Sequence, residues 1–143
     1  MTGVTIVTTR GENGAPVGLT ANSFTSVSLE PPLVLVCVDK RLRSYPAFRV
    51  GGHYAIHVLR EDQAELSTRF ATSGADKFEG VRCRRGLGGV PILPGYLALF
   101  ECEIAQAHEA GDHAIFVGEV LRVEPGAAAP PLVYLGREYR PVP

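Results

Sequence analysis

Five hydroxyl side chains and one amide fall within nine residues of this chain: Thr20, Asn22, Ser23, Thr25, Ser26 and Ser28. Ala21, Phe24 and Val27 are interleaved with them, and Pro31-Pro32 then leads into the almost unbroken apolar run Leu33 to Val38. The apolar run builds core. The polar run carries more hydrogen-bonding groups than a turn requires, and it lies beside a buried element. A pocket for a polar, planar ligand needs that combination. Directly after the apolar run come Asp39, Lys40, Arg41, Arg43 and Ser44. They read either as a solvated charged loop or as a phosphate site. In the second case cations, backbone N–H groups and the Ser44 hydroxyl at a helix start converge on an anion. The helix start expected at Ser44 favours the phosphate site. Asp39 works against pure anion attraction, and either orders the loop or meets a ribose hydroxyl. Asp112-His113 is either a turn Asp with a solvated His, or a His at a pocket mouth that hydrogen-bonds a ligand or cofactor.

Other constellations carry less. His53 and His57 would share one face of a helix, but His53 to Leu59 reads as strand. Four strand residues span about 13 Å, too far for one ion, so these are polar positions on one strand face and no metal is expected. No nucleophile elbow is present. Arg85-Gly-Leu-Gly-Gly89 lacks the Lys-Ser/Thr of a phosphate loop and reads as ordinary loop. Cys37, Cys83 and Cys102 contain no CxxC pair and read as reduced, partly buried thiols of a cytosolic protein.

The elements that must position these residues are mostly strands. Val4 to Thr9 is β-branched throughout, Gly11 to Gly14 supplies a hairpin turn, and Pro16 to Thr20 starts the return strand. Leu33 to Val38 reads as a strand buried on both faces. Ser44 to Arg49 reads as a helical turn capped by Ser44, with Pro46 tolerated in its first turn. Tyr54 to Leu59 is a strand. Glu61 to Ala71 is the best helix, with Asp62 and Glu65 spaced as a capping box and Leu66 and Phe70 on one face. Asp76 to Gly80 adds a turn. Tyr96 to His108 and His113 to Val123 are long strands joined through Glu109 to Asp112, and Leu132 to Leu135 is the last strand. Hairpins without regular βαβ alternation predict a mainly β fold with short helices, an antiparallel barrel whose openings the helices cover.

Bulk properties narrow the function classes. The chain has 143 residues and suits one domain spanning 1–143. Its formal net charge of −1 gives no bulk attraction to nucleic acid or anionic membrane. No run of 18 apolar residues occurs, and no signal peptide is visible, so a cytoplasmic location is expected.

Taken in order, Thr2 to Thr9, Pro16 to Cys37, Ala55 to Leu59, Asp76 to Phe78, Gly111-Asp-His113 and Pro131 to Tyr134 resemble the short-chain flavin reductase family. That family has the FMN-binding split-barrel fold and supplies the reductase components of two-component flavin-dependent monooxygenases. The resemblance covers nearly the whole chain. It departs in that the family's usual helix before the Thr-Gly-Val segment is lacking and the tail after Tyr139 is short. The resemblance implies a homodimer that passes a hydride from NADH or NADPH to FMN or FAD and hands the reduced flavin to an oxygenase. It implies that Thr20, Ala21, Asn22, Ser23, Phe24, Thr25 and Ser26 line the isoalloxazine and ribityl chain. By the same resemblance Cys37, Val38, Asp39, Lys40 and Ser44 surround the ribityl phosphate, with Lys77 helping there or at an adenylate. His113 would sit by the nicotinamide as the catalytic position, and Tyr134 and Arg137 would approach the nicotinamide nucleotide or the ring edge. The alternatives are a non-catalytic flavin-binding split barrel and a flavin-dependent ferric reductase.

Overall fold

The structure is a computed structural model that describes residues 1–74 and 76–142. Its frame is a seven-stranded antiparallel sheet. In chain order the strands are β1 (Thr2–Gly3), β2 (Thr5–Arg10), β3 (Pro16–Ala21), β4 (Thr25–Leu29), β5 (Pro32–Asp39) and β6 (His53–Val58). The short helix α1 (Ala64–Ala71) follows. Then come β7 (Arg84–Arg85), β8 (Pro91–Ile92), β9 (Ala98–Ala110), β10 (His113–Pro125), β11 (Val133–Leu135) and β12 (Glu138–Arg140). The large sheet runs β3-β2-β6-β9-β10-β5-β4, while β1-β11-β12 and β7-β8 form two small sheets.

Val7, Leu19, Val36, Ile56, Ile104 and Phe116, from six different strands, belong to one buried cluster. Only a sheet curled on itself brings them together. The edges β3 and β4 do not pair, so the barrel stays split. Across the gap, the backbone N–H of Cys37 on β5 donates to Ser23 Oγ in the loop after β3, at 2.9 Å.

A second core lies outside the barrel. Val4, Ile6, Leu59, Phe70, Leu93 and Leu132 are buried together there. Phe70, fully buried on α1, contributes about 2 kcal/mol of apolar burial. A third cluster of Ala55, Val90, Ile92 and Leu99 holds the β7–β8 strap against β6 and β9. The buried Glu101 pins that strap: its Oε1 accepts from the Leu87 N–H at 2.8 Å, and Arg122 Nη1 stands 3.6 Å from Oε2.

Several expectations are corrected. β5 alternates, with Val34, Val36 and Val38 buried and Leu33, Leu35 and Cys37 only half-buried, because among the described residues nothing fully covers the outer face of the sheet there. Ser44 makes no side-chain cap bond, and the turn after it is a single 3-10 turn, Tyr45–Ala47. No Asp62–Glu65 capping box forms: Arg60 captures the Asp62 carboxylate, and Gln63 Oε1 accepts the Arg60 N–H instead. The long hairpin turns at Gly111-Asp112, since β9 continues through Ala110. The polar run yields an additional strand, β4, and the tail an additional strand, β12.

Candidate functional site

A cavity of about 550 Å³ opens where three segments meet. The start of β3 contributes Pro16, Val17 and Gly18. The loop after β5 contributes Leu42, Arg43 and Ser44. The segment after α1 contributes Ser73, Gly74, Asp76, Lys77 and Phe78. Gly18 makes the arrangement possible. A Cβ there would stand 2.6 Å from the Phe70 ring and 3.1 Å from Phe78. Its absence lets α1 and the following segment close down on β3, with Phe70 and Phe78 meeting edge to face at 5.1 Å between centroids. Lys77 Nζ donates to the Gly18 carbonyl at 3.1 Å, and burial pushes its pKa below the usual lysine value. Val17, Leu42 and Phe78 offer apolar surface, and Arg43, Ser44 and Lys77 offer cationic and hydroxyl donors in the same cavity. That volume and donor set suit a flat apolar ring carrying an anionic tail.

Of the residues singled out in the sequence for a ligand, the cavity itself gathers Arg43, Ser44 and Lys77. The basic loop is divided. Lys40 pairs with Glu109 of the long hairpin. Arg41 is captured by Asp39, which accepts from its backbone N–H at 2.8 Å and from its guanidinium. The Arg41 side-chain bonds hold the Asp39 carboxyl well below the usual carboxylate range. Only Arg43 of the three cations faces the cavity.

Much of the hydroxyl run serves the fold. Thr20 Oγ1 donates to the Ser67 carbonyl at 2.6 Å, tying β3 to α1. Ser23 Oγ accepts from Cys37 as described. Asn22 Nδ2 donates to Thr2 Oγ1 at 3.3 Å. Phe24 packs on Phe100, centroids 5.3 Å apart, at the rim of the barrel core. Ala21 and Val38 are buried in that core. Thr25 and Ser26 stand exposed on the edge strand β4.

His113 opens β10 directly opposite Asp39 on β5, so the strand register brings the hairpin tip to the loop that walls the cavity. The Lys40 N–H donates to the Asp112 carbonyl at 3.0 Å and fixes that approach. His113 Nδ1 lies 2.7 Å from Asp112 Oδ1, and this bond holds the Asp112 carboxyl below its ordinary pKa. With a carboxylate as acceptor, Nδ1 carries the proton and Nε2 is left for another partner. Tyr134 packs against Tyr139 at a tilt, centroids 5.5 Å apart, and Tyr134 pairs with Thr2 across β1–β11. Arg137 occupies an exposed turn at φ 67°.

His57 differs most from the sequence reading. It is completely buried. Leu93 N–H donates to its Nε2 at 3.0 Å, so Nδ1 carries the proton and donates to the Ile6 carbonyl at 2.9 Å. Both ring nitrogens are consumed, which leaves no lone pair for a metal. The alternation of strand β6 puts His57 on one face, but only the β8 segment folding over that face buries it. Arg10 was likewise given no role by the sequence, although it ends β2 beside the Asn-Gly turn.

The family described as flavin reductase like domain matches residues 1–143. An FMN reductase (NADH) of Agrobacterium fabrum is 53% identical over 121 residues, covering 85% of this chain and 68% of that protein. The crystal structure of a nitrilotriacetate monooxygenase component B homologue from Mycobacterium thermoresistibile superposes with TM-score 0.92 at 38% identity, covering 99% of this chain and 80% of the other. An NADH:FAD oxidoreductase of Streptomyces globisporus, in complex with NAD and FAD fragments, superposes with TM-score 0.89 at 39% identity, covering 99% and 86%.

Proposed function

The chain belongs to the flavin reductase-like family, and on that premise we propose that it is an NAD(P)H-dependent flavin reductase supplying reduced flavin to a partner monooxygenase. One observation carries the reading: a family match along residues 1–143 coincides with a cavity that combines apolar walls with Ser44 and Lys77.

A bound flavin supplies the hydride acceptor, and a dihydronicotinamide supplies the donor. The protein therefore needs no strong acid or base, and the chain's task is to hold two flat rings in contact. Ser44, Lys77 and Arg43 would hold the anionic tail of the flavin. The partly desolvated Lys77 ammonium gains more from that charge than an exposed lysine would. Backbone N–H groups from Ala21 to Ser23 would meet the pyrimidine edge of a bound flavin, where fixed donors would favour negative charge on the reduced ring. By the family resemblance, the rest of Thr20 to Ser26 and Cys37 to Lys40 would line the same flavin. His113, oriented by Asp112, offers Nε2 to the nicotinamide, and Tyr134 and Arg137 flank the nucleotide.

We infer a homodimer on separate grounds. β4 is an edge strand, and Val27 and Leu29 on it are exposed at 49% and 93%. Leu121 and Val123 on β10 are also exposed. An uncovered edge bearing apolar side chains is a ready surface for a second copy. No helix of the described residues is long and apolar enough to cross a membrane.

The reductase reading is tested by mixing the purified protein with NADH or NADPH and FMN or FAD. Loss of dihydronicotinamide absorbance in at least one pairing is expected. Tight flavin binding without oxidation in any pairing would leave a non-catalytic flavin-binding barrel. Oxidation by the flavin-bound protein that proceeds only when a ferric complex is present would point to a flavin-dependent ferric reductase.

A further inference from the structure

Arg10 ends β2 with its guanidinium held between two glycines. A Cβ on Gly14 would stand 2.8 Å from Arg10 Nη2, and one on Gly89 would overlap Nη1. Both glycines adopt left-handed backbone, φ 78° and 76°, which other residues rarely do. The turn and the strap thus leave a slot filled by this one side chain. Among the described residues Arg10 has no acidic partner.

On one side of Arg10 is a cavity of about 200 Å³ lined also by Cys83, Arg84, Arg85, Pro16 and Pro91. No carboxylate of the described residues lines it. Arg84 is engaged by Glu124 at 2.7 Å, whereas Arg85 has no acid partner among the described residues. Burial pushes the Cys83 thiol up, so it adds no negative charge at neutral pH. Pro16 belongs to the walls of both this cavity and the larger one that holds Ser44 and Lys77. A ligand seated in the large cavity therefore has a cationic pocket next to it, one residue away along β3.

We propose that Arg10 and Arg85, backed by Arg84, form a second anion subsite that takes a phosphoryl group on the adenosine half of a dinucleotide. This rests on the reductase reading. Guanidinium groups suit phosphoryl oxygens because their planar donor forks match that geometry. The protein holds the Arg10 charge in place before any ligand arrives, so little side-chain freedom is lost on binding. Two sources share the chemistry: the pyrophosphate of FAD and the 2′-phosphate of NADPH.

The test compares wild type with Arg85→Ala and with the double variant Arg10→Ala/Arg85→Ala. Flavin fluorescence gives Kd for FMN and FAD, steady-state kinetics give KM for NADH and NADPH, and calorimetry follows inorganic pyrophosphate. Arg85 is exposed on β7, so Arg85→Ala keeps the test valid if the double variant fails to fold. Losing a charged hydrogen bond weakens binding about ten-fold. A loss of that size for FAD but not FMN assigns the subsite to the flavin pyrophosphate. A rise in KM for NADPH but not NADH assigns it to the 2′-phosphate. Less than two-fold change for every ligand, or equal loss for FMN and FAD together with NADH and NADPH, overturns the proposal. If wild type binds no flavin and oxidises no dihydronicotinamide, the reductase reading fails and with it the dinucleotide assignment. Pyrophosphate binding lost in Arg85→Ala would then leave only a free-anion site.

Discussion

Lowering the pH should destabilise this protein through one buried ring. His57 is fully buried, and its neutral form accepts the Leu93 N–H while donating to Ile6. A second ring proton would face that N–H and break the bond. Desolvation, the largest cause, pulls the His57 pKa from 6.5 down to about 4. The unfolded chain takes up a proton near pH 6.5, whereas the folded chain resists it until about pH 4. The His57 contribution is therefore complete above pH 6.5, falls as the pH drops, and levels off below about 4. At about 1.4 kcal/mol per pH unit the whole interval amounts to about 3 kcal/mol. Between pH 7.5 and 5 the loss should be about 2 kcal/mol. Urea denaturation at a series of pH values reads it as a falling midpoint at unchanged slope. Asp39 and Asp112 do not confound the window, because both are held below the usual carboxylate range. His57→Gln removes the titration, and its stability should be lower overall but nearly flat from pH 7.5 to 5. A wild-type profile flat to within about 0.5 kcal/mol, or a variant with the same slope as wild type, would refute the reasoning.

Three further outcomes are expected. Ser44→Ala should weaken FMN about five- to ten-fold and leave riboflavin unchanged, since only FMN carries the phosphate; equal losses in fluorescence titrations would remove Ser44 from the phosphate site. His113→Ala should raise KM for the dihydronicotinamide several-fold with flavin Kd little changed; a parallel fall in flavin affinity would move His113 to the flavin site. Leu29→Lys, a charge placed on the exposed edge strand β4, should shift a dimer towards monomer in analytical ultracentrifugation; an unchanged dimer would show that the pairing surface lies elsewhere.

Local patterns settled a good deal. The β-branched run Val4 to Thr9 placed β2, Asn13-Gly14 placed the first hairpin turn, and the apolar run placed β5 almost to the residue. The order of motifs from Thr2 to Tyr134 also led to the family that the whole chain matches. Ser44 and Lys77, singled out in the sequence, come together in one cavity although 33 positions separate them. Their pairing needed the Gly18 contact with Phe70, which no local pattern announces.

Long-range contacts decided the rest. Lys40 looks like a free cation of the charged loop, yet Glu109 on the long hairpin, 69 positions on, pairs with it. Thr20 looks like a ligand donor, yet α1 packs close enough for Ser67 to accept its proton. His53 and His57 look equivalent on one strand, but the β8 strap buries only the second. Arg10 looks like the polar end of a strand until Gly14 and Gly89 close around it. The sequence by itself determined which segments are strands, because periodicity and turn chemistry are properties of neighbouring residues. Only the tertiary structure decided which polar groups stay available to a ligand, because hydrogen bonds are exhausted by partners far away in the chain.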